Sequence, residues 1–355
     1  MSQPWTREVD RYCHQYLQLE AKLDIPRREI LRLPEVQDAI FAKIFADGAI
    51  RYEPPVRFKF KTLKDLVSHI EESIDDWDRH EVSGDILDAM GVLLSTPLPP
   101  EILSSQKKFY VTYHVSGMPP DHSSSSSSGR KTGSESSNWK DDRYITLLEN
   151  RSLIAGSGTT GLRTWEAGLH LGQFLCQSPE IIRGKEILEL GAGTGYLSVL
   201  CARHLGAARV IASDGSDDVI NNLPENLFLN DLQDSRHQVI PMDVKWGHAL
   251  VGTEETDWNG GRPVDVVLGA DVTYDDRVVP ALVATLGELF VLYPDVNVYI
   301  SAAERNEKTF HVFLDSCREQ GLMVDILDFP VPPPEEQTGP FYSVDVAMSI
   351  CRVSR

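Results

Sequence analysis

Apolar and polar residues follow two different rhythms along this chain. Over the first hundred residues the apolar spacing is three and four, the period of a helix with one buried face. Val9 to Leu23 carries apolar and aromatic residues in this way. Pro26 opens a second helix, since proline is tolerated in the first turn. Ile30, Leu33, Val36, Ile40, Ile44 and Phe45 continue its apolar face until Gly48 stops it. Leu63, Leu66, Val67, Ile70 and Ile74 predict a third helix from Lys61 to Trp77. A fourth runs from Gly84 to Leu94, before the break at Pro97-Leu98-Pro99-Pro100.

Phe109 to Val115 and Tyr144 to Leu148 read as strands, rich in aromatic and β-branched residues. Between them lie six consecutive serines, Ser123 to Ser128, in a longer Ser/Gly/Lys/Pro stretch. That composition cannot build a core and predicts a disordered loop over 116–139. The two strands can still pair across it, because lengthening a loop adds little closure entropy.

From Gly184 onward, short apolar runs alternate with helical stretches. Strands are predicted at Ile187–Leu190, Arg209–Ser213, Gln238–Met242, Val264–Leu268, Val296–Ala302 and Met323–Phe329. The helices between them are Thr194–Leu205, one ending near Leu232, Val278–Leu292 and Phe310–Gln320. This alternation implies βαβ units and an open, mostly parallel α/β sheet. Pro330 to Pro334 leads to a last strand, Tyr342 to Cys351, with no helix between. A hairpin, with an antiparallel strand at the sheet's end, is expected. The chain thus divides into a helical part, 1–105, a strand pair with its loop, 106–152, and a sheet domain, 153–355. For the helical part, structural packing and substrate docking are both open.

Composition narrows the function. The chain has 355 residues, and no apolar run is long enough to span a bilayer. Its start lacks a signal-peptide core, so a cytoplasmic location is expected. The 53 acidic residues outnumber the 34 basic ones, for a net charge of -19. That balance argues against a direct nucleic-acid substrate. It is compatible with a basic protein segment as partner, and equally with a device for solubility. Cys13, Cys176, Cys201, Cys317 and Cys351 show no metal-ligand spacing, and neither a metal site nor a disulfide framework is expected.

The strongest local feature is Glu189-Leu190-Gly191-Ala192-Gly193-Thr194-Gly195, directly between a strand and a helix. Glycines there allow a tight turn and close approach of a ligand to the backbone. Tyr196 fills the last glycine position of a dinucleotide fingerprint. Glu189 suits the cationic methionine end of S-adenosylmethionine better than a pyrophosphate. Asp214 ends the second strand, where an acid can hold a ribose hydroxyl. This set favours S-adenosylmethionine over NAD as cofactor.

The fourth strand runs into Gly269-Ala270-Asp271-Val272-Thr273-Tyr274, at the sheet edge that faces the binding crevice. Ala270 is small enough to lie beside a cofactor. Asp271 can orient an amine or an alcohol, and Tyr274 can do the same or wall a channel. The plainer alternative is a helix cap for Asp271 and a core position for Tyr274. Asp243 is placed to meet an adenine amino group, and Trp246 to pack beside the ring. Trp165 lies just before the sheet. For each tryptophan taken alone, burial and ligand contact are equal readings.

These motifs together resemble the seven-strand protein-lysine methyltransferases. The resemblance covers Leu153 to Arg355 and rests on Gly161–Gly168 around Trp165, on Glu189–Gly195, Asp214, Asp243 with Trp246, and on Asp271–Tyr274, which matches the family's Asp-x-x-Tyr signature. The N-terminal extension is similar to one branch, the elongation factor 2 lysine N-methyltransferases. The resemblance implies a Rossmann-like class I methyltransferase sheet with a helical N-terminal extension. It further implies cofactor contacts at Trp165, Gly191, Ala192, Gly193, Asp214, Trp246 and Ala270, and a protein as substrate, with elongation factor 2 expected. A monomer with no membrane partner is expected. A methyltransferase for small molecules or other residues, and a non-catalytic binding protein of the same fold, are the alternatives.

Overall fold

Helical periodicity in the first hundred residues gives five helices: α1 (Thr6–Leu17), α2 (Arg28–Leu31), α3 (Pro34–Ile44), α4 (Val56–Ser73) and α5 (Gly84–Ser95). The computed structural model describes residues 3–97, 108–118, 143–150, 160–233, 238–248, 250, 258–305 and 307–355. The serine-rich segment expected to be disordered lies outside them. The chain forms two compact units. The first takes the described residues up to 115, with 143–146 and 338–341; the second takes 116–118 and the described residues of 147–337 and 342–355.

In the first unit, Tyr12, Tyr16, Ile40, Ile44, Leu63, Leu66, Ile70 and Ile86 are fully buried in one core. The expected helix from Pro26 to Phe45 is in fact two helices. Leu33, forced into an extended conformation before Pro34, separates them. The first helix also stops short of Leu23, because Leu19 takes a left-handed φ of 57°. Strands β1 (Phe109–His114) and β2 (Tyr144–Glu149) pair as a two-stranded sheet. The hydroxyls of Thr112 and Thr146 meet at 2.9 Å.

The second unit is a seven-stranded sheet. Its strands are β3 (Glu186–Leu190), β4 (Arg209–Asp214), β5 (Val239–Asp243), β6 (Val266–Ala270), β7 (Asn297–Ala303), β8 (Met323–Leu327) and β9 (Met348–Ser354). Their order is β5-β4-β3-β6-β7-β9-β8. The first five are parallel, and β9 is antiparallel to both its neighbours. The last strand therefore lies inside the sheet, not at its end as expected. Burial explains the order: Ile350, Cys351 and Val353 of β9 are buried, whereas Met323 and Ile326 of β8 are exposed and suit an edge. It also begins at Met348 instead of Tyr342. A local turn, in which Asp345 N–H donates to Ser343 Oγ at 3.0 Å, holds the preceding residues off the ladder.

Helices α6 (Glu166–Gln177), α7 (Tyr196–Val199), α8 (Asp217–Leu229), α9 (Val279–Leu292) and α10 (Glu307–Glu319) complete this unit. Leu282, Leu286 and Leu289 of α9 pack into a core with Leu188, Val267 and Ile300 from three adjacent strands. The chain leaves β3 toward β4 and β5, then crosses back to β6 on the other side. That reversal opens a crevice at the C-terminal ends of β3 and β6, the usual ligand position in such sheets.

Candidate active site

The crevice is shaped first by the turn after β3. Gly191 and Gly193 hold left-handed φ values of 69° and 53°. Gly191 has no room for a side chain: a Cβ would lie 2.8 Å from Val272 Cγ1. At Gly193 a Cβ would lie 3.2 Å from the carbonyl of Gly161. Ala192 N–H donates to the Ser213 carbonyl at 2.8 Å. Asp214 accepts from Gly193 N–H at 3.1 Å and from Ser216 N–H at 3.0 Å. Turn and acid are thus locked together. Thr194 is anchored by Thr164 Oγ1 at 2.7 Å, and its carbonyl accepts from Asn226 Nδ2 at 2.8 Å.

A cavity of about 720 Å³ opens over this turn. It brings together Trp165, Glu189, Gly191, Ala192, Gly193, Asp214, Trp246, Ala270, Asp271 and Tyr274. Gly195 and Asp243 do not line it. Gly195 instead packs beneath the turn, where a Cβ would meet Leu223 at 2.8 Å. Asp243 has an exposed side chain, paired with Lys245 at 3.4 Å.

The acids in the cavity are poorly solvated. Burial pushes the Glu189 carboxyl up to about 8; the Ser198 hydroxyl that donates to it opposes the rise, and the nearby Asp214 adds to it. Burial also raises Asp214, against the pull of three backbone N–H donors. The indole N–H of Trp246 is buried and finds no acceptor among the described residues.

Asp271 follows β6 in a left-handed conformation, φ 55°, uncommon for a residue with a side chain. Its N–H donates to the Ser301 carbonyl at 2.8 Å. The next helix begins only at Val279, with Val278 as its cap, so Asp271 is no helix cap. Tyr274 is 55% exposed, so it is no core residue. Arg305, beyond the end of β7, donates to Asp271 at 2.8 Å and to Glu166 at 2.7 Å. Burial raises the Asp271 carboxyl and Arg305 draws it down. The Trp165 ring carries two guanidinium groups, Arg163 at 4.8 Å and Arg305 at 4.9 Å.

Sequence reasoning missed Arg163, Glu166 and Arg305. Arg305 had a signal, since it follows the strand beside β6 at the crevice edge. Arg163 and Glu166 flank Trp165 but carry no spacing that marks them.

The family model described as lysine methyltransferase matches residues 147–320. Protein-lysine N-methyltransferase EFM3 of Chaetomium thermophilum is 50% identical over 348 residues, covering 98% of both chains. The chain belongs to the lysine methyltransferase family. It is an enzyme that methylates protein lysine. EFM3 of Saccharomyces cerevisiae is 31% identical over 204 residues, 53% of this chain and 58% of that one. EEF2KMT of Homo sapiens is 27% identical over 194 residues, 51% and 57% respectively. The matched span of this lysine methyltransferase takes in the glycine turn, the cavity and the Asp271–Tyr274 edge, while α1–α5 lie before it. Among its described residues, no group of three His, Cys, Asp or Glu could hold a metal, and no helix is long and apolar enough to cross a membrane.

Proposed function

We propose that this methyltransferase takes S-adenosylmethionine as methyl donor and methylates a lysine of elongation factor 2 in the cytoplasm. The observation that carries the reading is a single cavity uniting the glycine turn, Asp214 and the Asp271–Tyr274 edge. The residues present fit the donor. Gly191 and Gly193, without side chains, line the cavity with bare backbone, Glu189 supplies an acid for the donor's cationic end, and the Trp246 N–H is a buried donor awaiting a partner. In this reading Trp165, Glu189, Gly191, Ala192, Gly193, Asp214, Trp246 and Ala270 form the donor site, and Asp271 and Tyr274 the amine site. The relatives named EFM3 and EEF2KMT support the choice of protein substrate.

When bound, S-adenosylmethionine supplies an electrophilic methyl group: a nitrogen–carbon bond forms as the sulfur–carbon bond breaks, leaving S-adenosylhomocysteine and a methylated ammonium. The residues around it serve chiefly to align and desolvate. Asp271 accepts a hydrogen bond from the amine and aims its lone pair, and Tyr274 walls the approach. The lysine, with an ordinary pKa of about 10.4, must first give its proton to water.

Glu189 makes donor binding pH-dependent. With its carboxyl near 8, Glu189 is mostly protonated at pH 7. A cationic ligand end favours the ionised form. Binding should therefore release a proton at pH 7, and affinity should strengthen as pH rises toward about 8. Calorimetry in buffers of different protonation enthalpy measures that release. Glu189→Gln should lose it, and no release in the native protein would contradict the assignment. The substrate is tested by incubating purified, unmodified elongation factor 2 with the enzyme and labelled S-adenosylmethionine. Incorporation at one lysine is expected; an unlabelled factor, with label entering other proteins of a cell extract, would overturn the choice.

A further inference from the structure

We propose that Arg305 is a positioning residue that keeps Asp271 charge-compensated, so that the site receives the substrate lysine as a neutral amine instead of trapping it as an ammonium. This rests on the reading of Asp271 as the amine's partner.

The geometry is a chain of three ion pairs, Asp271–Arg305–Glu166–Arg163, with both guanidinium groups over the Trp165 ring. Asp271 contributes a side chain only 8% exposed. Arg305 bridges Asp271 at 2.8 Å and Glu166 at 2.7 Å. Glu166 reaches back to Arg163 at 3.3 Å. Both guanidinium groups lie over the Trp165 ring, whose face attracts them. Two acids and two bases cancel. Four of the five residues line the cavity; Glu166 ties them from outside its wall.

An acid alone at this position would work against the reaction. A carboxylate within about 4–6 Å raises the pKa of a lysine by about 1–3 units. It would bind the ammonium firmly and hold it without a lone pair. With Arg305 in place, Asp271 still offers an acceptor oxygen, but its charge is already matched. The charged groups facing Asp271 are Arg305, beyond β7, and Glu166, on α6. The cavity's other titratable groups are Arg163, Glu189, Tyr196, Asp214, Lys245 and Tyr274, and the ion pairs of Arg305 go to Asp271 and Glu166.

The test is the pH profile of single-turnover methylation at saturating donor and protein substrate, which reports the bound amine. In Arg305→Gln the limb on which rate rises with pH should move up by at least about one unit. Arg305→Lys should hold it near its native position. The decisive variant is Asp271→Asn with Arg305→Gln: removing both charges should return the limb to the native position, although the rate stays low. Titration of each variant with S-adenosylhomocysteine shows that the donor site survives. A limb that does not move in Arg305→Gln, or that moves equally in the double variant, would overturn the proposal. Native turnover in Asp271→Asn alone would instead remove Asp271 from the amine site, and the proposal with it.

Discussion

Gly193→Arg is expected to weaken S-adenosylmethionine binding at least about 1,000-fold, equivalent to about 4 kcal/mol. A Cβ at Gly193 already lies 3.2 Å from the Gly161 carbonyl oxygen, and both residues line the cavity, so a bulky side chain there crowds the donor's place. It also introduces a cation where the donor brings its own. The left-handed conformation adds about 1–2 kcal/mol of strain, which an ordinary folding stability of about 5–15 kcal/mol absorbs. Titration calorimetry beside a thermal melt separates the two effects. Gly193→Ala, with the strain but little of the bulk, should retain much of the affinity. Native affinity in a folded Gly193→Arg protein would remove the turn from the donor site.

The second large effect is on turnover. Asp271→Ala should cut single-turnover methyl transfer by about 100-fold or more, because misplacing a reacting atom by about 1 Å costs on that order. Donor affinity should change far less, since Glu189 and Asp214 hold the donor in this reading. Arg305 keeps Glu166 as a partner after the substitution, which limits the damage to the fold. Tyr274→Phe should cost less than Asp271→Ala if the ring only walls the channel, and as much if its hydroxyl orients the amine. Near-native turnover in Asp271→Ala would end the orienting role. An equal collapse of donor affinity would move Asp271 into the donor site.

Much of this is legible in the amino-acid sequence alone. The glycine turn is a local device: its strand, its left-handed residues and its helix are contiguous, so residue types alone reveal it. The parallel sheet followed from alternating runs, each long enough to show its own period. What failed was what depends on distant partners. The place of β9 between β7 and β8 is decided by which strand has apolar residues for both faces, and that comparison needs the neighbours in view. The split between α2 and α3 was readable in Pro34, whose effect on Leu33 is local, but the continuous apolar face over Ile30 to Phe45 hid it. Asp243 and Gly195 carry the right residue types, yet one turns to Lys245 and solvent and the other packs on Leu223. Arg305 stands 34 residues from its partner Asp271 and 139 from Glu166. No periodic pattern links residues that far apart, so the chain of ion pairs beside Trp165 emerges only from the fold.

The decisive measurement is a crystal structure with S-adenosylhomocysteine. The product should lie in the cavity over the Gly191–Gly193 turn, its ribose hydroxyls on Asp214, its amino end toward Glu189 and its base beside Trp246. The sulfur should face the Asp271–Tyr274 edge, with room between them for a lysine side chain. A product bound elsewhere, or one whose sulfur points away from Asp271, would contradict the shared site on which the mechanism depends.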